Sequence, residues 1–237
     1  RRDRREELKK RYGIKVFADN GAAAKAFRGP HSVVLLCVKP QRMEAVLADL
    51  AGAVTADQLV ISIVAGATIG TIAEMLNSRL VVRAMPNTPS QIGKGMTPWT
   101  CSADVDSGHK QMVKVLLSAL GTELFVETEN MIDMATSLSA TGPTYTFLVM
   151  EAMTDAGVHL RFSREVSKDL VLQTLLGPVL FAMESHKHPA ELRNMVTSPG
   201  GTSAEAIYQM EKGALRTVLS KAIYGAYRRA VELGKRK

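Results

Sequence analysis

The first half of the chain alternates short apolar runs with amphipathic stretches. Three continuous apolar runs are typical of strands buried on both faces of a parallel sheet: 32–38, 59–64 and 80–85. A shorter segment, 14–17, predicts one more strand. Four further segments predict helices: 3–12, 22–27, 41–50 and 69–76. The first is a charged helix ended by Gly13, and the third places its apolar side chains on one face. The last follows Thr68, a candidate cap. Repeated β-α-β units predict a parallel sheet with helices on both faces.

The pattern changes to helical spacing after about residue 128. Six segments follow it with no strand-like run between them: 131–138, 144–158, 163–185, 189–196, 203–210 and 215–233. We therefore predict an α/β domain over 1–126 and an all-α domain over 127–237. Segment 163–185 is apolar around nearly its whole circumference, which predicts burial on most sides. We expect a homo-oligomer formed through this domain, with an ordinary core helix as the alternative.

Composition and charge exclude several classes of protein. Apolar residues make up 46% of the chain and charged residues 22%, as in ordinary globular proteins. The net charge of +7 is confined to the two ends, and aromatic residues are only 5%, so we expect no nucleic-acid partner. No continuous apolar run approaches the roughly 20 residues of a membrane span, so we expect no membrane partner. Two cysteines fit a reducing compartment, and we expect a cytoplasmic protein.

A glycine-rich loop in the helical half carries the first candidate chemistry. Ser198-Pro199-Gly200-Gly201 precedes Thr202, and Glu205 three residues later completes a capping-box pattern. Glycines let backbone N–H groups approach a ligand, and a loop leading into a helix N-terminus binds anions. The loop therefore predicts a carboxylate or phosphate site; the alternative is a simple turn between helices.

The ends of the three predicted strands carry the second candidate site. Each run is followed by Pro, Gly or Asn: Cys37–Pro40, Ile63–Gly66 and Met85–Pro89. In open α/β sheets ligands bind beyond the carboxyl ends of the strands. Together these segments predict a dinucleotide crevice, and Cys37 itself is expected to be a small buried side chain.

Several motifs resemble, in type and order, those of pyrroline-5-carboxylate reductases. They are Val38-Lys39-Pro40, Met85–Pro89, Gly142-Pro143, Gln173–Gly177, His188-Pro189 and Thr197–Thr202. The resemblance implies a Rossmann-like nucleotide-binding domain followed by a helical dimerisation domain. It also implies reduction of 1-pyrroline-5-carboxylate to L-proline with NADPH or NADH, the last step of proline biosynthesis.

The resemblance also implies roles for individual residues. Ser203 matches a family threonine near the ring nitrogen and is the candidate catalytic hydroxyl. The implied substrate-binding residues are Thr197, Ser198, Gly200, Gly201, Thr202 and Ser203. The implied cofactor-binding residues are Asn20, Val38, Lys39, Pro40, Val64, Ala65 and Asn87, although Lys39 can also be read as a solvated lysine at a strand end. No metal is expected, because a protonated imine is already electrophilic.

The family's opening strand, Gly-rich turn and helix have no counterpart ahead of Arg1. We therefore expect an N-terminally truncated nucleotide domain that lacks its first β-α unit, with any organelle-targeting segment lying upstream. The alternative function is that of a non-catalytic oligomeric carboxylate-binding relative that has lost its cofactor site. The expected assembly is a dimer or an assembly of dimers.

Overall fold

The computed structural model describes residues 2–29 and 31–235, and by its contacts the chain divides into two units. Arg1–Thr141 and Ala226–Lys237 form the first, called the sheet unit here. Gly142–Gly225 form the second, called the helical unit. The last strand ends at Phe125 and the chain is helical from Glu129 onward. The domain boundary at 126/127 stays a prediction. The contacts group the first helix after it, Glu129–Ala135, with the sheet unit.

Five strands lie side by side in chain order in the sheet unit: β1 Val33–Leu36, β2 Leu59–Ser62, β3 Val81–Ala84, β4 Gly95–Cys101 and β5 Gly121–Phe125. β1, β2 and β3 are parallel, with Leu36 opposite Ser62 and Ser62 opposite Arg83. β4 is antiparallel to β3 and parallel to β5. The expectation of a wholly parallel sheet is therefore wrong at β4, because Thr88–Ile92 forms only a short 3₁₀ turn before β4 runs back.

Among the described residues, six helices accompany the strands: α1 Arg2–Tyr12, α2 Asn20–Ala26, α3 Met43–Leu50, α4 Ile69–Leu76, α5 Ser107–Ser118 and α6 Glu129–Ala135. α6 continues into a π-helical turn, Thr136–Ala140. Side-chain caps begin three of them, because short polar side chains can accept the otherwise unpaired N–H groups of a first turn. Asp19, Asp106 and, as predicted, Thr68 supply these caps.

Alternate side chains of the strands enter two separate cores, one on each face of the sheet. Val60 and Val81 pack in one cluster with Leu47 of α3 and Ile72 of α4. The other cluster contains the remaining apolar side chains of β2 and β3 together with residues of β4 and α5: Leu59, Ile61, Val82, Trp99, Val113 and Leu117. The period of two along each strand therefore places helices on both faces of the sheet, as the sequence predicts.

Segment 14–17 is not a strand, although its composition predicts one. A strand exists by pairing, and no part of the described chain pairs with these residues. The sequence reasoning also missed β4, α5 and β5. β4 reads Gly-Met-Thr-Pro-Trp-Thr-Cys, with glycine, proline and threonine where a recognisable strand would have β-branched apolar residues. It is nonetheless largely buried.

In the part of the chain that the structure describes, five helices follow α6 and its π turn: α7 Gly142–His159, α8 Arg164–Ser185, α9 Pro189–Met195, α10 Thr202–Lys212 and α11 Leu215–Lys235. The helical unit contains α7 to α10 and α11 as far as Gly225. α7 and α8 approach closely, since a Cβ added at Gly157 would lie 2.7 Å from Ser167 Oγ. Of the described residues Gly142–Gly225, Ser167 and Val171 alone are buried.

α8 is long and apolar enough to cross a membrane, by length and composition alone. Continuous apolar runs did not predict this helix as a possible membrane span, because Lys168 and Asp169 interrupt its apolar sequence. They do not lower the mean hydropathy of the helix below that of a membrane helix. Most of its large apolar side chains are exposed, among them Leu172, Leu176, Val179, Leu180 and Met183.

Candidate functional site

The carboxyl ends of β1, β2 and β3 lie at one edge of the sheet, because these strands are parallel and adjacent. Val38, Lys39 and Pro40 follow β1, Val64 and Ala65 follow β2, and Asn87 follows β3. The structure therefore brings the candidate cofactor residues of these three strands to a common edge. We call it the strand edge.

At the end of β1, Val38 packs against the core and Lys39 is exposed. The Lys39 carbonyl accepts a hydrogen bond of 2.9 Å from the Arg42 N–H, which closes the 3₁₀ turn that begins at Pro40. A proline suits a first helical position, since it has no N–H to leave unpaired. Cys37 is exposed, contrary to expectation, because it follows the last strand residue; its remaining burial still raises the pKa of its thiol.

At the end of β2 the chain makes a tight turn into α4. The Val64 carbonyl accepts from the Ala67 N–H at 3.2 Å, and Ser62 Oγ accepts from the Val64 N–H at 3.2 Å. Gly66 has a φ of +78°, and a Cβ there would lie 2.9 Å from the Leu233 carbonyl oxygen of α11. Only glycine fits this position without strain, so Gly66 lets the segment 64–68, called the β2 turn here, pack closely against α11.

Asn87 uses its side chain within the protein. Its Nδ2 donates to the Ser139 carbonyl at 3.3 Å, and its Oδ1 accepts from the Met96 N–H at 2.9 Å. The amide thus joins the end of β3 to the π turn and to β4. Asn20 differs, since its exposed Nδ2 donates to Asp49 Oδ2 at 3.1 Å, and the residue lines an open cavity of about 290 Å³ together with Cys37 and Val38.

Next to the strand edge lies a network of three charged side chains that the sequence analysis did not predict. Arg83, at 3% exposure, lies in β3. Its Nη1 is 3.1 Å from Glu129 Oε1, and its Nη2 is 2.6 Å from Asp133 Oδ1. The available signal was an arginine inside the buried run Val81-Val82-Arg83-Ala84, because a buried charge requires a partner. Among the residues searched, no group of three or more metal-binding side chains is found.

The glycine-rich loop lies in the helical unit and has a defined turn geometry. The Ser198 carbonyl accepts from the Gly201 N–H at 3.1 Å, with Pro199 and Gly200 between them, and Gly200 has a φ of +68°. This is the arrangement of a type II turn, which favours Pro and then Gly at its two central positions. The positive φ favours glycine at Gly200, and a Cβ at Gly201 would lie 2.6 Å from Ser198 Oγ, so that hydroxyl would have to move.

The helix after this loop begins at Thr202, as predicted, but the capping box is wrong. Gly201 is the N-cap residue, without a side-chain cap, and its carbonyl accepts from the Ala204 and Glu205 N–H groups. Because glycine occupies the cap position, Thr202 lies inside the helix, and the Glu205 carboxylate accepts from Gln209 Nε2 at 2.8 Å instead of reaching back. The first-turn N–H groups of Thr202 and Ser203 therefore receive no acceptor from a cap side chain.

Thr197 and Ser203 differ in their surroundings. Thr197 Oγ1 donates to the Arg193 carbonyl at 2.7 Å, which fixes the start of the loop on α9. Ser198 and Thr202 are exposed, whereas Ser203 is half-buried in the first turn of α10. The loop thus offers hydroxyls and helix N–H groups, the donors that a carboxylate needs.

Two family models match the chain. The one described as pyrroline-5-carboxylate reductase dimerisation matches residues 129–233. The one described as NADP oxidoreductase coenzyme F420-dependent matches residues 1–66. Together they include the candidate loop and the ends of β1 and β2.

Curated relatives match nearly the whole chain. A pyrroline-5-carboxylate reductase of Synechocystis sp. is 40% identical over 233 residues, which are 98% of this chain and 85% of the relative. One of Pseudomonas aeruginosa is 39% identical over 232 residues, 98% of this chain and 84% of the relative. The crystal structure of Plasmodium falciparum pyrroline carboxylate reductase with NADP bound superimposes with a TM-score of 0.87 at 31% identity, covering 94% of this chain and 83% of that one.

Proposed function

This chain belongs to the pyrroline-5-carboxylate reductase family, and we propose that it reduces 1-pyrroline-5-carboxylate to L-proline with hydride from NAD(P)H. It is an NAD(P)H-dependent oxidoreductase of proline biosynthesis, with a Rossmann-like sheet domain followed by a helical dimerisation domain. The observation that carries the proposal is an identity of 40% that extends over 98% of the chain, and so over both candidate sites.

The residues at the strand edge fit a dinucleotide. The exposed Lys39 offers a cation, Asn20 offers an amide at the surface, and the apolar Val38 and Val64 flank the edge. The cofactor supplies the hydride. We assign polar contacts with the cofactor to Lys39 and Asn20, and we assign to Asn87 the role of holding the loop after β3. The shape of the binding site is assigned to Val38, Pro40, Val64 and Ala65.

The loop of the helical unit fits the substrate. Its carboxylate suits the N–H groups at the start of α10 together with the hydroxyls of Ser198 and Thr202. We assign hydrogen bonding of the ring nitrogen to Ser203, where the family's threonine would carry an additional methyl group. Gly200 and Gly201 let the backbone reach the carboxylate, and Thr197 fixes the loop on α9.

No residue is required to form a covalent bond with this substrate. The protonated imine carbon is electrophilic, so the chain's task is to align it with the hydride donor and exclude competing orientations. Correct positioning of two reactants alone can account for a large part of a rate enhancement. This explains a site built from hydroxyls and backbone groups rather than from a strong acid or nucleophile.

The helical unit mediates self-association. Residues 129–233 match a dimerisation model, and the exposed apolar face of α8 is the surface that such a contact would bury. We propose a dimer, or an assembly of dimers, rather than a membrane, as the environment of α8. The cytoplasmic location and the absence of a nucleic-acid partner stay predictions.

The test is NAD(P)H-dependent reduction of 1-pyrroline-5-carboxylate, followed as loss of absorbance of the reduced cofactor. It would be run on the 237-residue chain and on a form in which the opening strand, Gly-rich turn and helix of a family member precede Arg1. We expect at least one of the two forms to reduce 1-pyrroline-5-carboxylate, with L-proline identified as the product by chromatography. Inactivity of both forms, each shown to be folded, would contradict the proposal and favour the non-catalytic carboxylate-binding relative.

A further inference from the structure

The β2 turn is fixed at its far end by a residue from a distant part of the chain. The Ile69 N–H, at the first position of α4, donates to Glu129 Oε1 at 2.8 Å. The same oxygen accepts from Arg83 Nη1 at 3.1 Å. One carboxylate therefore links β3, the start of α6 and the start of α4.

A carboxylate is well suited to this position. The first N–H groups of a helix have no partner inside the helix and carry partial positive charge. Thr68 Oγ1 accepts from the Thr71 N–H at 3.2 Å, but the Ile69 N–H needs another acceptor. Glu129 supplies it from 60 residues away, so the contact fixes position and does not merely cap a local turn.

Arg83 keeps that carboxylate in place. The Glu129 side chain is 31% exposed and could otherwise turn into solvent, whereas the Arg83 side chain is 4% exposed and is further fixed by Asp133. Asp133 thus contacts the same arginine but, among the described hydrogen bonds, does not contact α4. The two carboxylates share a partner and differ in whether they reach the β2 turn.

The β2 turn contains Val64 and Ala65, two of the residues that we assign to the cofactor. We propose that Glu129, held by Arg83, is a positioning residue that sets the β2 turn for binding of NAD(P)H. This inference rests on the proposed function, since it assigns a further residue to the same reaction. Glu129 acts through the backbone of α4 and does not itself touch the cofactor.

The difference between the two carboxylates provides the experiment. Glu129→Ala and Asp133→Ala would each be made in both protein forms described above, and NADPH binding would be titrated by its fluorescence. We expect Glu129→Ala to raise the Kd for NADPH about tenfold, within the usual range of coupling between sites, and Asp133→Ala to change it less than about twofold. Glu129→Gln retains an oxygen that can accept from the Ile69 N–H, so it should restore most of the affinity.

Stability and kinetics separate positioning from a purely structural role. Both alanine variants should lower Tm, because each leaves Arg83 with one partner fewer. In whichever of the two protein forms reduces the imine, Glu129→Ala should raise KM for NADPH while KM for pyrroline-5-carboxylate stays unchanged. Equal effects of the two variants on the NADPH Kd, or no effect of either, would overturn the proposal.

The unmodified protein distinguishes this proposal from the one on which it rests. If it binds NADPH and reduces the imine while Glu129→Ala binds NADPH equally well, the positioning role alone is wrong. If the unmodified protein is folded in both forms and does not bind NADPH in either, the proposed function and the positioning role are both overturned.

Discussion

Every residue of β2 is buried, whereas α8 buries only Ser167 and Val171 among its 22 residues. Both segments are apolar, so hydrophobicity does not explain the difference. β2 is covered within its own unit by side chains of α3 and α4 on one face and of α5 on the other. Leu172, Leu176 and Leu180 of α8 are each more than 40% exposed. The sheet unit completes its own core, and the helical unit does not.

This contrast shows where the stability of each unit comes from. Burying a leucine side chain contributes roughly 2 kcal/mol, and several leucines of α8 forgo that contribution within a single chain. The match of residues 129–233 to a dimerisation model indicates that a second chain supplies it. The stability of the helical unit should therefore depend on protein concentration, as for obligate homodimers, whereas that of the sheet core should not.

The largest effect should come from placing a charge on the exposed stripe of α8. Leu176, at 52% exposure, lies in the middle of this stripe. Leu176→Asp would bury an unpaired carboxylate in the subunit contact, at a cost of more than about 3 kcal/mol. We expect monomers by size-exclusion chromatography with light scattering, and loss of reductase activity.

Lys168→Ala on the same helix is the matched control, because it removes a charge from α8 without adding one to the apolar stripe. It should leave the mass of the assembly unchanged. An intact dimer in Leu176→Asp would show that another surface carries the contact, and would leave the exposure of α8 without this explanation.

A core truncation in the sheet unit should be severe but independent of association. Leu47 of α3 is 0% exposed and packs in the cluster on one face of the sheet. Leu47→Ala should lower the free energy of unfolding by about 2–5 kcal/mol, through lost burial and the cavity left behind. The loss, measured as a shift of the denaturant midpoint, should be the same at low and high protein concentration. A concentration-dependent loss would mean that the two cores are not independent.

The sequence predicts the two units unequally well, for a physical reason. β1, β2 and β3 were found because strands covered on both faces form continuous apolar runs. β4 was missed because it contains Gly95 and Pro98, residue types that usually mark turns, although the strand is largely buried. The helices of the second unit were found within a few residues of their ends, since helical spacing is a local property.

The candidate site divides in the same way. The strand edge and the loop were predictable because each is made of short segments that lie directly next to a predicted strand or helix. The partners of Arg83 were not, since Glu129 and Asp133 lie 46 and 50 residues away and nothing local pairs them with β3. The capping-box prediction is wrong by one position. Gly201 and Thr202 are adjacent, and both residue types occur as N-caps, so the sequence does not show which of them is the cap.

Ser203 tests whether the helical unit contributes chemistry as well as association. Ser203→Ala removes the hydroxyl that we assign to the ring nitrogen and should lower kcat/KM for pyrroline-5-carboxylate by roughly a hundredfold. Ser203→Thr retains the hydroxyl and adds the methyl of the family's residue, so it should keep full activity. Steady-state kinetics with NADPH in excess give both values. Unchanged activity of Ser203→Ala would remove this residue from the catalytic role.

Cys37 offers a probe of the strand edge that leaves the helical unit untouched. Because burial raises the pKa of its thiol, little thiolate is present at neutral pH, and iodoacetamide should modify it slowly. Bound NADPH should slow the reaction several-fold, as read by peptide mass spectrometry. Cys101, half-buried in β4, serves as the internal control. Equal rates with and without a saturating cofactor would argue against an NADPH site beside the end of β1.

The smallest effect should come from a local cap in the sheet unit. The His109 N–H donates to Asp106 Oδ1 at 2.8 Å and holds the pKa of that carboxyl below its usual range. A pKa that is lower in the folded state gives stability above the unfolded-state value of about 4, and this stability is lost as the pH falls through the folded-state value. Asp106→Ala should therefore lower Tm slightly at pH 7 and progressively less toward pH 3. Asp106→Asn keeps an acceptor without a titratable group, so its difference from Asp106→Ala should not vary with pH. Since this cap belongs to α5, the deficit should also be independent of protein concentration, which distinguishes it from any loss that acts through α8.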